Sequence, residues 1–305
     1  LNCSFTRSCL QFVLDGRYDF LDGIVLTDSC DHIRRLYDLF RVTRDIPFLH
    51  FMSVPHKITE YSIGLYREDL GTFRESVEKA FGVKITDASL RNAIEVYNET
   101  RNLLQRIYDL RKSDTPPLTG AETLDIVLAS TIMPREQYND LLRQLIEELH
   151  GRQGITDYKA RLMVAGSGGC DDPDYYRVIE GLGGLVVTDA LCFGARYFWK
   201  PVELTDDPLS DLATAYQNRP ACAKMADQVV ERIDFIKKMA KDFNVDGVVY
   251  HRLRYCDLWA GQLLLLRDQL NKSDMPMLEL EREYTLGATG QLRTRLQAFL
   301  ESLGG

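Results

Sequence analysis

Seven cysteines carry the most distinctive chemistry in this chain of 305 residues. Their number is odd, they are spread over the whole length, and no two of them form a C-x-x-C pair. A disulfide framework is typical of small secreted domains with an even cysteine count, so thiols or metal ligands are the better interpretation. The seven are Cys3, Cys9, Cys30, Cys170, Cys192, Cys222 and Cys256.

Four of these cysteines follow segments that the apolar pattern predicts to be strands. Cys30 comes after residues 21–27, and Cys256 comes after residues 247–250. Ligands in open α/β sheets bind beyond the carboxyl ends of the strands, so this position makes a cysteine a candidate for a site. The other two cysteines in such positions are Cys170 and Cys192. Spacing does not choose among the four, and a cysteine is more often a small buried side chain than a ligand.

Two further groups at predicted strand ends could take part in chemistry. His56 follows the strand predicted at residues 48–54, where its imidazole could donate or remove a proton, although a structural loop histidine explains it equally well. A glycine-rich turn lies between a predicted strand and a predicted helix, so its backbone N–H groups could bind a phosphate or a carbonyl oxygen. A tight turn also explains these glycines, because the G-x-G-x-x-G fingerprint and the P-loop lysine are both missing. The turn consists of Gly166, Ser167, Gly168 and Gly169.

An α/β fold is predicted to position these groups. Short apolar runs alternate with helical patterns at the start of the chain and again from residue 159, which is the rhythm of a parallel sheet. Residues 66–152 between them are predicted to be helical, with a capping box at Thr119-Gly-Ala-Glu122. The strands are predicted at residues 21–27, 48–54, 161–165, 185–188, 247–250 and 277–281.

We therefore predict two doubly wound parallel-sheet lobes of the flavodoxin-like type, joined by a helical connector. The first lobe covers residues 1–66, the connector residues 67–155 and the second lobe residues 156–305. Two strands are fewer than a doubly wound sheet normally has, so we expect the first lobe to be incomplete, with its other strands upstream of Leu1.

Composition and charge exclude some classes of function. The chain is 45% apolar and 27% charged, and its net charge of -8 leaves no continuous basic surface for nucleic acid. Its apolar runs are far shorter than the roughly 20 residues that cross a bilayer, and no signal peptide pattern opens it. We expect a cytoplasmic protein that binds neither nucleic acid nor membranes.

Four segments together resemble one enzyme family. In order and spacing they are similar to the 2-hydroxyacyl-CoA dehydratase and benzoyl-CoA reductase family, along essentially the whole chain. The segments are CSFTR at residues 3–7, LDGIVLTDSCD at 21–31, VDGVV with RYCD at 245–257, and GQLRTRLQAFLE at 290–301.

The resemblance implies a 4Fe-4S cluster held by Cys3, Cys30 and Cys256. Cys9 is close enough in sequence to exchange roles with Cys3. The other three cysteines then return to ordinary roles, Cys222 packing on a helix and Cys170 and Cys192 lining the crevice. Three thiolates leave one iron of the cluster without a protein ligand, which implies an open site for chemistry.

That chemistry, by resemblance, is low-potential one-electron chemistry on CoA thioesters in anaerobic metabolism. It is either dehydration of an (R)-2-hydroxyacyl-CoA through a ketyl radical or reduction of an aromatic acyl-CoA such as benzoyl-CoA. The turn at residues 166–169 would receive the CoA ester, and His56 would move a proton. The implied partners are a homologous second subunit in a heterodimer and an ATP-dependent iron-sulfur activator that donates electrons.

A function of a different class is also consistent with the residues. In this alternative the chain is a cluster-free, two-lobed protein that binds a small ligand in its crevice, and the cysteines are inert packing residues.

Overall fold

The structure is a computed structural model that describes residues 2–168, 171–287 and 289–304. It contains parallel sheets and many helices, which confirms the predicted α/β class. In chain order the elements are α1 (Ser4–Leu14), β1 (Ile24–Thr27), α2 (Asp31–Thr43), β2 (Leu49–Met52), α3 (Glu60–Phe81), α4 (Asp87–Leu110), α5 (Gly120–Ala129), α6 (Arg135–His150), β3 (Ala160–Gly166), α7 (Pro173–Glu180), β4 (Gly184–Ala190), α8 (Ala195–Phe198), α9 (Pro208–Asn218), α10 (Val229–Asp242), β5 (Gly247–Leu253), α11 (Asp257–Ala260), α12 (Leu263–Asn271), β6 (Met277–Arg282) and α13 (Thr289–Leu303).

The chain forms two compact units. The first combines Leu1–Glu95 with Val202–Val229, and the second combines Val96–Pro201 with Val230–Gly305. The division at residues 66 and 155 that we expect from the sequence stays a prediction. No helix in the described part of the chain is long and apolar enough to cross a membrane.

The first unit contains a two-stranded parallel sheet. β1 pairs with β2 from Ile24 opposite Leu49 to Thr27 opposite Met52. Val13 of α1 and the α2 residues Leu36 and Phe40 form a buried apolar cluster, against which both strands pack. Because the strands are parallel, the residues that follow them leave the sheet at the same edge.

The second unit contains a four-stranded parallel sheet in the order β4-β3-β5-β6. Every residue of β3 and β4 is buried, as expected for strands covered by helices on both faces. The turn after β3 and the Cys256 segment after β5 follow neighbouring strands and therefore lie at one edge of this sheet.

The predicted helical region is helical, and its predicted capping box is present at the start of α5. The Thr119 hydroxyl accepts from the Glu122 amide at 3.1 Å, and the Glu122 carboxylate accepts from the Thr119 amide at 2.8 Å. These two bonds satisfy amides that the first turn of a helix otherwise leaves unpaired, and they fix where α5 begins.

Candidate functional site

The carboxyl ends of β1 and β2 bring Asp28 and His56 together. The Nε2 atom of His56 lies 3.5 Å from one carboxylate oxygen of Asp28, and the Nε atom of Arg34 lies 3.7 Å from the other. The His56 side chain is 52% exposed, whereas that of Asp28 is 15% exposed. The largely buried carboxylate therefore holds an imidazole that solvent, or a substrate, can reach.

Cys30 occupies the N-cap position of α2, two residues after Asp28. Burial raises the pKa of its thiol, while the backbone amides of Ile33 and His32 in the first turn lower it. The charges of Cys3 and Cys222 raise this pKa again, so both thiols lie within electrostatic reach of Cys30. Amide groups directed at a sulfur are the groups that stabilise a thiolate ligand.

Cys3 is buried at the N-cap position of α1 and is tied to α2. Its backbone amide donates to Nδ1 of His32 at 3.2 Å, and its sulfur lies 3.5 Å from the hydroxyl oxygen of Thr6. His32 therefore joins the segment that carries Cys3 to the first turn after Cys30. The structure thus brings two of the three predicted cluster ligands together. No motif in the sequence indicates this role of His32.

A buried lysine also belongs to this end of the first unit. The Nζ atom of Lys224 donates to the carbonyl oxygen of Val54 at 2.8 Å, in the segment that leads to His56. Burial lowers the pKa of Lys224, and the negative charges of Asp28, Cys222 and Cys30 act in the opposite direction. Cys222 and Lys224 both lie in the loop between α9 and α10. Sequence patterns do not reveal this lysine, because the carbonyl group that it binds is 170 residues away.

The predicted substrate-binding turn at residues 166–169 is bonded to β5. The Ser167 amide donates to the His251 carbonyl oxygen at 2.9 Å, and the Ser167 hydroxyl accepts from the Leu253 amide at 2.9 Å. Ser167 is only 1% exposed, so its hydroxyl serves the turn itself. Gly168 follows it, while Gly169 and Cys170 lie outside the described residues.

Gly166 shows why this turn requires a glycine. Its φ is +129°, which side chains rarely adopt, and an added Cβ would lie 1.9 Å from the His251 carbonyl oxygen. That oxygen belongs to the backbone of a central strand and cannot move aside.

Replacing Gly166 with alanine is expected to destabilise the protein by about 3 kcal/mol or more, through backbone strain and the clash with β5. Chemical denaturation of the purified protein measures this loss. Gly64→Ala in α3 is the matched control, since nothing lies within 4 Å of the added methyl group. A better helix former there should stabilise by about 0.5–1 kcal/mol. Equal stabilities of the two variants would contradict the requirement for glycine at the turn.

Cys256, the third predicted ligand, follows β5 in the second unit and occupies the N-cap position of α11. The preceding residue, Tyr255, has a φ of 70°, so the chain turns sharply between the strand and the cysteine. A cavity of about 390 Å³ opens beside this turn. It is lined by Arg252, Arg254, Tyr255, Cys256, Asp257, Ala260 and Glu281. Cys256 therefore stands at the wall of an open space, as a ligand of a reactive group would.

The alternative cysteines occupy different surroundings. Cys9 lies on α1 and packs against the apolar cluster of the first unit. Cys192 is exposed in the loop after β4, with Nη1 of Arg196 at 3.7 Å from its sulfur. Asp189 shapes that loop by accepting from the Ala195 amide at 2.8 Å, and burial raises the pKa of its carboxyl group. Cys192 thus follows the carboxyl end of β4, and its place in a crevice stays a prediction.

The donor set fits an iron-sulfur cluster by its chemistry, because the three predicted ligands are thiols and the six cysteines within the described residues form no disulfide. Cys3 and Cys30 belong to the first unit and Cys256 to the second. Within residues 2–168, 171–287 and 289–304, no three His, Cys, Asp or Glu side chains are grouped closely enough to hold a metal ion. The complete ligand set therefore stays a prediction.

Comparisons with known proteins agree with the resemblance seen in the sequence. The model of the family described as "2-hydroxyglutaryl-CoA dehydratase, D-component" matches residues 1–303. One of the subunits of benzoyl-CoA reductase from Thauera aromatica is 25% identical over 99% of this chain and 79% of its own length. The (R)-phenyllactyl-CoA dehydratase beta subunit of Clostridium sporogenes is 24% identical over 99% of this chain and 80% of its own length. The beta subunit of (R)-2-hydroxyglutaryl-CoA dehydratase from Acidaminococcus fermentans is 22% identical over 99% of this chain and 81% of its own length. These names confirm the predicted enzyme types, a reductase and dehydratases.

Proposed function

Because the chain belongs to the 2-hydroxyglutaryl-CoA dehydratase, D-component family, we propose that it is the iron-sulfur subunit of an enzyme acting on CoA thioesters by low-potential one-electron chemistry. The reaction is dehydration of an (R)-2-hydroxyacyl-CoA or reduction of an aromatic acyl-CoA such as benzoyl-CoA. The observation that carries the proposal is the pair of thiols, Cys3 and Cys30, held together beside the Asp28–His56 pair.

The proposed cluster ligands are the thiolates of Cys3, Cys30 and Cys256. A 4Fe-4S cluster with three protein ligands, when bound, supplies one electron at a time and one iron with an open coordination position. The amides of His32 and Ile33 would donate to the Cys30 sulfur and hold its orientation.

The proposed proton carrier is His56. Its Nε2 is oriented by Asp28, which leaves Nδ1 as the nitrogen that would face a substrate. The Asp28 carboxylate would hold the ring in place, so that His56 could give a proton to a departing hydroxyl group or to a reduced ring. The acyl-CoA would meet the turn at residues 166–169, in which the Ser167 hydroxyl is already bonded to the Leu253 amide.

The finer features of the fold and the assembly are part of the same proposal. Flavodoxin-like, doubly wound lobes are supported in the second unit by the strand order β4-β3-β5-β6. A heterodimer with a homologous second subunit is supported by relatives that are named beta subunits. The ATP-dependent activator that donates electrons is proposed from the family resemblance.

Anaerobic purification tests the proposal directly. The protein should be brown, with broad visible absorption and about four iron and four sulfide ions per chain. Activity with activator, ATP and reductant should then appear on a panel of 2-hydroxyacyl and aromatic CoA esters, and the ester that reacts identifies the branch. Colourless protein with well under one cluster's worth of iron and sulfide would instead support the cluster-free binding protein.

A further inference from the structure

Lys224 is a buried cation that no step of the proposed chemistry uses. It is only 7% exposed, and its ammonium group donates to one backbone carbonyl oxygen, that of Val54. A lysine ammonium in the interior is costly unless negative charge compensates it, and a single neutral carbonyl group does not supply that charge.

The negative groups around Lys224 all come from the thiol end of the first unit. They are Asp28, Cys222 and Cys30, and Arg34 opposes them. Asp28 also contacts two other side chains, since its oxygens lie 3.5 Å from Nε2 of His56 and 3.7 Å from Nε of Arg34. Asp28 makes the largest of these negative contributions, and Cys222 and Cys30 add to it, so the ammonium group of Lys224 lies within electrostatic reach of Cys30, a proposed ligand.

We propose that Lys224 is a positioning residue that supplies a fixed positive charge beside the Cys30 end of the cluster and so makes the reduced cluster easier to reach. This inference rests on the proposed function. Adding an electron makes the cluster more negative, and a nearby buried cation favours the more negative state. A less negative cluster potential makes transfer of an electron from the activator to the cluster more favourable, and the charge of Lys224 shifts the potential in that direction.

The loop between α9 and α10 is suited to this role. Lys224 fixes Val54, which lies two residues before His56, and at the same time places its charge near Cys30. A purely structural lysine would act only through the Val54 hydrogen bond. Charge and hydrogen bond can be separated, because glutamine keeps an N–H donor without the charge and methionine keeps the length without either.

The experiment is a redox titration of the cluster, followed by electron paramagnetic resonance, in anaerobically purified Lys224→Gln, Lys224→Met and Lys224→Arg proteins. Both neutral variants should keep wild-type iron and sulfide content while their midpoint potential becomes more negative. At a fixed potential the ratio of reduced to oxidised cluster should fall about tenfold, as expected for loss of a unit charge about 10 Å away at an effective dielectric constant of roughly 20. Tenfold corresponds to about 59 mV for a one-electron couple.

Lys224→Arg keeps the charge and should keep the wild-type potential. Lys84→Met, at an exposed loop position of the same unit, controls for the loss of a lysine and should change nothing. An unchanged potential in neutral variants that hold the cluster would overturn the role of Lys224 but leave the proposed function standing. Wild-type protein without iron and sulfide would overturn both.

Discussion

Replacing Cys30 with serine is expected to cost the protein its cluster and essentially all of its turnover. Serine keeps the size of the side chain, but its hydroxyl is a poor ligand for iron of an iron-sulfur cluster, which thiolates hold. Changes to groups that merely support a ligand already weaken metal binding by 10–100-fold, so loss of the ligand should lower iron and sulfide content by about tenfold or more. Metal analysis and visible absorption of the anaerobically purified variant give the answer.

Cys222→Ser provides a sharp control for this loss. Cys222 is in the same unit and within electrostatic reach of Cys30, yet it is not a proposed ligand. The variant should retain its cluster, which excludes a general effect of removing one thiol from this region. The reverse result, a colourless Cys222→Ser protein and a brown Cys30→Ser protein, would show that the proposed ligand set is wrong.

Cys256→Ser extends the test to the second unit. It should lose the cluster as Cys30→Ser does, because both are proposed ligands. Full iron and sulfide content in Cys256→Ser would direct attention to Cys192 or Cys170, whose sequence positions after strands are equally suitable.

The sequence predicts those parts of the site that depend on local patterns. Cys30 and His56 follow short apolar runs, so a parallel sheet must bring them to one edge, and β1 and β2 pair in that way. The Thr119 capping box is local in the same sense, since both of its partners lie within one turn of α5. Such features can be predicted from the spacing of apolar residues and from the residue types that cap the start of a helix.

The features that the sequence misses all depend on contacts between distant segments. Lys224 reaches Val54 only because residues 202–229 return to the first unit, and no local pattern encodes that return. In the sequence His32 resembles a surface or packing residue, and only the structure shows that its ring accepts a hydrogen bond from the Cys3 amide. The strict need for glycine at Gly166 arises from β5, about 85 residues later in the chain. Each case is a side chain or backbone group whose partner is chosen by tertiary packing.

Replacing His56 with glutamine is expected to lower kcat by about 100-fold or more, with little change in KM and none in cluster content, because proton transfer from a positioned side chain typically contributes that much. Glutamine can still pair with Asp28, so the local structure should persist. Steady-state kinetics with the reacting CoA ester, together with iron analysis, measure both effects. His150→Gln, at the exposed end of α6, is the matched control and should be as active as wild type. Equal activity of the two variants would show that His56 takes no part in the reaction.

The choice of substrate can show what the His56 proton does. In a dehydration the hydroxyl group needs a proton to leave as water, whereas a halide leaves without one. If the enzyme is a dehydratase, the defect of His56→Gln should therefore be much smaller on a 2-chloroacyl-CoA than on the 2-hydroxyacyl-CoA. A positional role of His56 would slow both substrates equally, because it would not depend on the leaving group. This difference separates proton donation by His56 from a purely positional role of its side chain.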